Sequence, residues 1–360
     1  MKNLEKLISI ESYNNKEQIV NFVVDQFRDN IKDYKIIKNK ENDDKSILIG
    51  INTQLKDINP IVLSGHIDTA TPDLEKFTNP FKLTKKDGKC YGLGTIDMKS
   101  FTAIIIDNIN QLKQINRPVV IALTTDEETN MLCVKNIIEY FKKANIKPYF
   151  TIVGEPTSSE LHLSSRGGYK YLIEVFGKAC HSSNPSLGIN SINILSRIIT
   201  HIEDCQKNYS GLTSNCGVIG GGVMVNQVPD YAYAEFDVRT FGFSPDNFIC
   251  DIKRKINQLE SEYGEVKIKL TKQLEIPPLL SNNNVAIKQL ASTLNIAIGD
   301  FNGGCEAGYY KNYSGEAVVF GVGDIKLAHK PNEYVEIKEY LKYSELLLNL
   351  IKLLDKKEKI

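Results

Sequence analysis

Four short β-branched runs, KSILIGIN, PIVLSGHID, VVIALTTD and YFTIVGEP, each end in polar, Gly or Pro residues. Helical stretches, KSFTAIIIDNINQLKQ and NMLCVKNIIEYFKKAN, separate several of them. Strands that alternate with helices predict an α/β fold whose mixed, largely parallel sheet carries helices on both faces. In such sheets the functional groups gather at the carboxyl ends of the strands. His66, Asp126 to Glu128 and Glu155 all fall at such ends. Ahead of the first strand, LEKLISIES followed by KEQIVNFVVDQFRDN has apolar positions at helical spacing and predicts an amphipathic helix.

After RGGYK the pattern changes to strand KYLIEVFGKA, helix SINILSRIITHIEDCQKN, strands GVIGGGVMVNQV and AYAEFDVRTF, helix DNFICDIKRKINQLESEY and strand VKIKLTKQLE. The order β-α-β-β-α-β is that of a ferredoxin-like α+β sandwich. It closes at PPLLSNNN, beyond which NVAIKQLASTLNI is helical, EAVVFGVG strand-like and IKEYLKYSELLLNLIKLLDKK a strongly amphipathic helix. The expected organisation is a discontinuous first domain, residues 1–165 and 281–360, with a second domain inserted at 166–280.

Composition narrows the partners. Lys plus Arg and Asp plus Glu number 44 each, and this zero balance argues against nucleic acid or an anionic membrane as the main partner. No apolar run reaches the ~18 residues of a membrane span. The first twenty residues lack the apolar core of a signal peptide. The seven cysteines are scattered and form no CxxC pair, so neither a disulfide framework nor a thiolate zinc knuckle is expected, and the chain is expected to be cytoplasmic.

Three adjacent carboxylates, Asp126, Glu127 and Glu128, follow a buried-type run directly, where they repel one another and need a positive partner. Hydrolytic zinc sites take His nitrogen and carboxylate oxygen. Donors of that kind are His66 and Asp68 in SGHIDTATP, Asp97 in YGLGTIDMKS, Glu127 and Glu128, Glu155 in VGEPT and His329 in LAHKPNEY. His66 and Asp68 flank one residue and point the same way on a strand, which suits an Asp that orients an imidazole. Asp97, Glu128 and Glu155 supply three negative charges against the four positive charges of two divalent ions, and a bound hydroxide matches the remainder.

The motifs GHIDT, GLGTIDMKS, TTDEET, GEPT, GKACHSSNP and AHKPNE, in this order, resemble the zinc-dependent deacylase and exopeptidase family of acetylornithine deacetylase, succinyl-diaminopimelate desuccinylase and aminoacylase. The resemblance implies that His66, Asp97 and Glu155 hold one metal and that Asp97, Glu128 and His329 hold the other, with Asp97 bridging. Zinc is the implied ion, with cobalt as an alternative. Asp68 would steady His66, Glu127 would be the general base, and the peptide after Asp97 would be cis. Asp126, turned away by alternation, is left a structural role. His181 matches the residue that donates to the oxyanion from the lid domain of a partner subunit, so a homodimer is implied. Arg239 in FDVRT and Asn226 in MVNQVP match positions that bind the α-carboxylate region of the substrate.

The chain departs from the family's usual pattern at Ala70, Leu93 and Asn130, none of them a metal position. The run FNGGCEAGYY is closer to the acetylornithine deacetylase version, and Glu306 in it is expected to meet a cationic amino group of the substrate. N-acetyl-L-ornithine, an intermediate of arginine biosynthesis, is therefore the expected substrate. Desuccinylase and dipeptidase or aminoacylase activities are the alternatives within the family, and a non-catalytic binding protein would have no use for Glu127 or His181. GLGTID lacks the Lys-Ser/Thr ending of a phosphate loop.

Overall fold

A computed structural model of the chain describes every residue except 29–30, 32, 41, 55–57, 77–78, 282–283 and 358–360. Two compact units emerge, Met1–Ser165 with Leu279–Ile360, and Arg166–Pro278. Two asparagines of the expected linker PPLLSNNN, residues 282–283, lie outside the described residues, as do residues 29–30 of the expected first helix.

In the first unit the strands run in the order Tyr34–Lys38, Lys45–Ile51, Val119–Thr124, Ile61–His66, Phe150–Val153 and Glu316–Val319, followed by the opening residues of Leu161–Phe176 and by Ile298–Phe301. Ile61–His66 pairs in parallel with both Val119–Thr124 and Phe150–Val153, and Glu316–Val319 is parallel to Phe150–Val153. Lys45–Ile51 is antiparallel to Val119–Thr124, so the sheet is mixed with a parallel centre. Central strands buried on both faces read as continuous apolar runs, and all six residues of Ile61–His66 and of Val119–Thr124 are buried.

One face, through Ile47, Ile49, Leu63, Ile121 and Ile152, shares a core with helices Lys2–Ile8, Lys16–Arg28, Lys99–Asp107, Val285–Leu294 and Ile337–Asp355. Helices Leu132–Ala144 and Ala307–Tyr313 pack against strands of the same sheet and against each other. The amphipathic helix expected at the start of the chain is two helices. The Asn15 side chain accepts the backbone N–H of Gln18 and begins the second one afresh. The buried ammonium of Lys99 draws off the carbonyls of Leu7 and Ile10 at 3.0 and 2.9 Å, where the first helix ends.

The second unit has the strand order Lys267–Ile276, Leu161–Phe176, Tyr231–Phe241, Leu212–Gly221, with every pair antiparallel. Numbered along the chain this is 4-1-3-2, the ferredoxin-like arrangement. Helices Ser191–Cys205 and Asp246–Tyr263 supply Ile194, Leu195, Ile198, Phe248 and Ile252 to its core. The strand expected to run through VMVNQV stops at Gly221, because Gly222 turns into the left-handed region at φ 75. Among the described residues no helix is long and apolar enough to cross a membrane, and all seven cysteines are free thiols.

Candidate metal centre

The parallel strands deliver their last residues to one edge. His66 ends its strand and sits in register with Thr124, which puts it beside the chain that continues into Asp126, Glu127 and Glu128. Glu155 follows Phe150–Val153 on the other side. Asp97 comes from the turn before helix Lys99–Asp107, and the Asp97–Met98 peptide is cis. His329 lies beyond the strand Glu316–Val319 in a left-handed conformation, φ 57.

These residues form two donor triads that share one carboxylate. Ligand atoms of His66, Asp97 and Glu155 lie within 4.8 Å of one another, and so do those of Asp97, Glu128 and His329. Asp97 Oδ1 is 2.8 Å from His66 Nε2, while Asp97 Oδ2 is 3.2 Å from His329 Nε2. Glu128 Oε1 is 3.0 Å from the same His329 nitrogen. Glu155 Oε1 stands 3.8 Å from His66 Nε2 and, though buried, has no hydrogen-bond partner among the described residues. An unsatisfied buried carboxylate oxygen aimed at an imidazole nitrogen is what a ligand set for a cation presents.

Behind the two triads, Asp68 ties two of their members together. Its backbone carbonyl lies 3.1 Å and its Oδ1 3.4 Å from His66 Nδ1, and its Oδ2 accepts the backbone N–H of Glu128 at 3.2 Å. A proton on Nδ1 leaves the Nε2 lone pair facing Asp97 and Glu155, the tautomer a metal ligand needs. Asp126 turns away from the site and accepts the N–H groups of Leu132 and Cys133 at the start of helix Leu132–Ala144.

Crowded carboxylates dominate the electrostatics. Desolvation, with Glu155 next, raises the Glu127 carboxyl well above its usual range, although the side chain is partly exposed. Desolvation and the Asp97 charge do the same to Glu155. His66 loses basicity to burial, but its bonds to Asp68 and Asp97 outweigh that and raise it. Hydrogen bonds to Asp97 and Glu128 hold the His329 imidazole up at about 10. Divalent cations compensate such a concentration of acceptors, so donor type, spacing and charge all fit a two-metal site.

Residue reasoning overlooked Glu333. Buried four residues beyond His329 in AHKPNEY, it accepts the backbone N–H of Ile96 at 2.6 Å and of Asp97 at 3.2 Å. Its place in a motif already picked out for His329 was the available signal. Glu306, expected to face the substrate, is 1% exposed, with its oxygens accepting the hydroxyls of Ser64 at 2.8 Å and Thr124 at 2.6 Å.

In the second unit His181 and Gln227 pair in a short two-stranded ribbon, and the backbone carbonyl of Asn226 accepts the N–H of Ser182. His181 Nδ1 accepts the Ser183 N–H at 3.2 Å, which leaves Nε2 as an exposed donor. Arg239 lies on Tyr231–Phe241, and its Nε donates to Asp237 Oδ2 at 2.7 Å.

An α/β sheet whose strand ends assemble two carboxylate-bridged donor triads beside an additional glutamate is the framework of a metal-dependent hydrolase. Residues 62–353 match the family described as peptidase family M20/M25/M40. The chain is 33% identical over 293 residues to acetylornithine deacetylase of Buchnera aphidicola subsp. Acyrthosiphon pisum (strain Tuc7), covering 77% of this chain and 76% of that one. It is 31% identical over 315 residues to acetylornithine deacetylase of Pasteurella multocida (strain Pm70), covering 81% and 79%. The fold is that of a tripeptidase from Staphylococcus aureus, with a TM-score of 0.77, 19% identity and coverage of 99% and 98%. The chain belongs to peptidase family M20/M25/M40 and is a metallohydrolase.

Proposed function

We propose that the chain hydrolyses the amide bond of an N-acylated amino acid, converting N-acetyl-L-ornithine to L-ornithine and acetate. The observation that carries this reading is the Asp97 carboxylate, shared between His66 and His329, with Glu127 interacting with Glu155, His66 and Glu128. Acetylornithine deacetylases among the relatives support the choice of acyl amino acid. His66, Asp97 and Glu155 would hold one divalent ion and Asp97, Glu128 and His329 the other, with zinc the ion proposed and cobalt a substitute. Bound there, two such ions would supply Lewis acidity for a water molecule and for the substrate carbonyl.

The chain's own groups do the rest. Glu127, whose carboxyl is raised above its usual range by burial and by Glu155, takes the proton of the attacking water and returns it to the departing amine. His181 Nε2 donates to the oxyanion, and Arg239 and Asn226 bind the α-carboxylate region. His181 is proposed to act from a second copy of the chain. Leu212–Gly221 is an edge strand with Val218 46% and Ile219 61% exposed, features that support self-association. Seven unpaired thiols suit a reducing cytoplasm.

Amine release by metal-stripped and by zinc- or cobalt-reconstituted protein tests the reading, with N-acetyl-L-ornithine set against N-succinyl-LL-diaminopimelate. Metal-dependent turnover of the acetyl substrate is expected. Turnover of the succinyl substrate alone overturns the substrate assignment and keeps the chemistry. Mixing Glu127→Ala with His181→Ala protein should restore part of the activity through subunit exchange, and no recovery with exchange confirmed counts against a shared site.

A further inference from the structure

We infer that Glu306 is a positioning residue for the metal centre, a clamp between the two strands that present its ligands, and not a group that meets the substrate. The inference rests on the two-metal reading above.

Three side chains define the clamp. Ser64 lies two residues before His66 on one strand, and Thr124 lies two before Asp126 on the next. Alternation puts Ser64 and His66 on the same face, and the parallel register sets Thr124 directly against His66. Glu306 spans the two strands on that face, with Oε2 accepting from Ser64 and Oε1 from Thr124. Ser64 Oγ also lies 3.0 Å from the buried hydroxyl of Tyr310, so helix Ala307–Tyr313 is tied to the same point.

A carboxylate is suited to this place because it accepts at both oxygens at once, while a hydroxyl or an amide offers fewer acceptors in a fixed geometry. Ser64, Thr124, Tyr310 and Glu306 are all fully or almost fully buried, so a substrate ammonium could reach Glu306 only by opening this packing. The spread of the strand ends sets the separation of His66 from Glu127 and Glu128, and the clamp fixes that spread. Partners behind metal ligands commonly govern affinity by 10–100-fold.

The test compares Glu306→Ala, Glu306→Gln and Thr124→Val for zinc affinity, measured by competition with a chromophoric chelator. It also compares kcat and KM for N-acetyl-L-ornithine and for N-acetyl-L-methionine, which has no side-chain cation. Zinc affinity should fall about 10–100-fold in Glu306→Ala. Glu306→Gln should recover part of that loss, and Thr124→Val should show a smaller one. The ratio of the two KM values should stay as in the parent protein. Unchanged zinc affinity, or a KM for the ornithine substrate that rises about tenfold while the methionine substrate is untouched, overturns the inference and returns Glu306 to the substrate. Should Glu306→Ala not fold, the Gln and Thr124→Val variants decide the question by the same readouts. Absence of turnover in metal-loaded parent protein would sink the deacylase reading, and the zinc titration would still decide the role of Glu306.

Discussion

Glu333 accepts the backbone N–H of Asp97 at 3.2 Å, so the carboxylate shared by the two donor triads hangs from a peptide held by a second, buried carboxylate. The same Glu333 oxygen takes the N–H of Ile96 at 2.6 Å, and burial raises the Glu333 carboxyl to about 8. Glu333→Ala leaves two buried donors unmet and frees the Asp97 turn to shift. Metal affinity should drop about 10–100-fold, whereas Glu333→Gln, which keeps an acceptor, should lose much less. Isothermal titration of metal-stripped protein measures both.

Glu127 is argued to move protons without holding metal. Glu127→Ala should therefore lower kcat by roughly 100- to 10,000-fold while the metal content of the purified protein stays unchanged. Elemental analysis alongside steady-state rates checks this, and retained activity would refute the assignment.

Gly154, directly before Glu155 of the first donor triad, has the Phe101 ring against its backbone. A Cβ there would lie 2.1 Å from Phe101 Cγ and 2.4 Å from both Cδ atoms. Phe101 is fully buried and has nowhere to go. Gly154→Ala should cost about 1–3 kcal/mol of stability and disturb Glu155. Denaturant unfolding would show the loss, and Phe101→Leu in the same chain should recover part of it.

Stability of the metal-free protein should depend on pH through Glu306, whose carboxyl burial raises from its ordinary 4.5 to about 7. The native state binds this proton more tightly than the unfolded chain. The contribution is fully present below the unfolded pKa and is lost as the pH rises through about 7. Urea unfolding in the presence of a chelator should give a free energy that falls between pH 5 and 8. Glu306→Gln, which has nothing to titrate, should show a smaller fall.

Much of this was legible in the residues. Buried parallel strands advertise themselves as β-branched runs, and their ends in His66, Glu128 and Glu155 marked the site because few histidines exist to choose from. Other parts depend on register and packing, which residue types do not carry. The strand Leu161–Phe176 begins in the polar, glycine-containing LHLSSRGGY, where no apolar run announced it. At the break between the first two helices, Lys99 from far along the chain takes the carbonyls of Leu7 and Ile10. Glu306 looked like a substrate contact by type, and only the fold shows that Ser64 and Thr124 already occupy it.

The two triads draw on segments remote in the chain, with Glu128 and His329 alone separated by 201 positions in sequence. Closing so long a loop carries an entropic cost that its contacts must repay. A growing chain therefore presents no complete pair of ion sites until the segment carrying His329 has emerged and docked. Cation uptake at the joined triads would latch these remote segments together and stabilise the native state by mass action. Withdrawal of the ion should lower the stability of the native state through the same linkage.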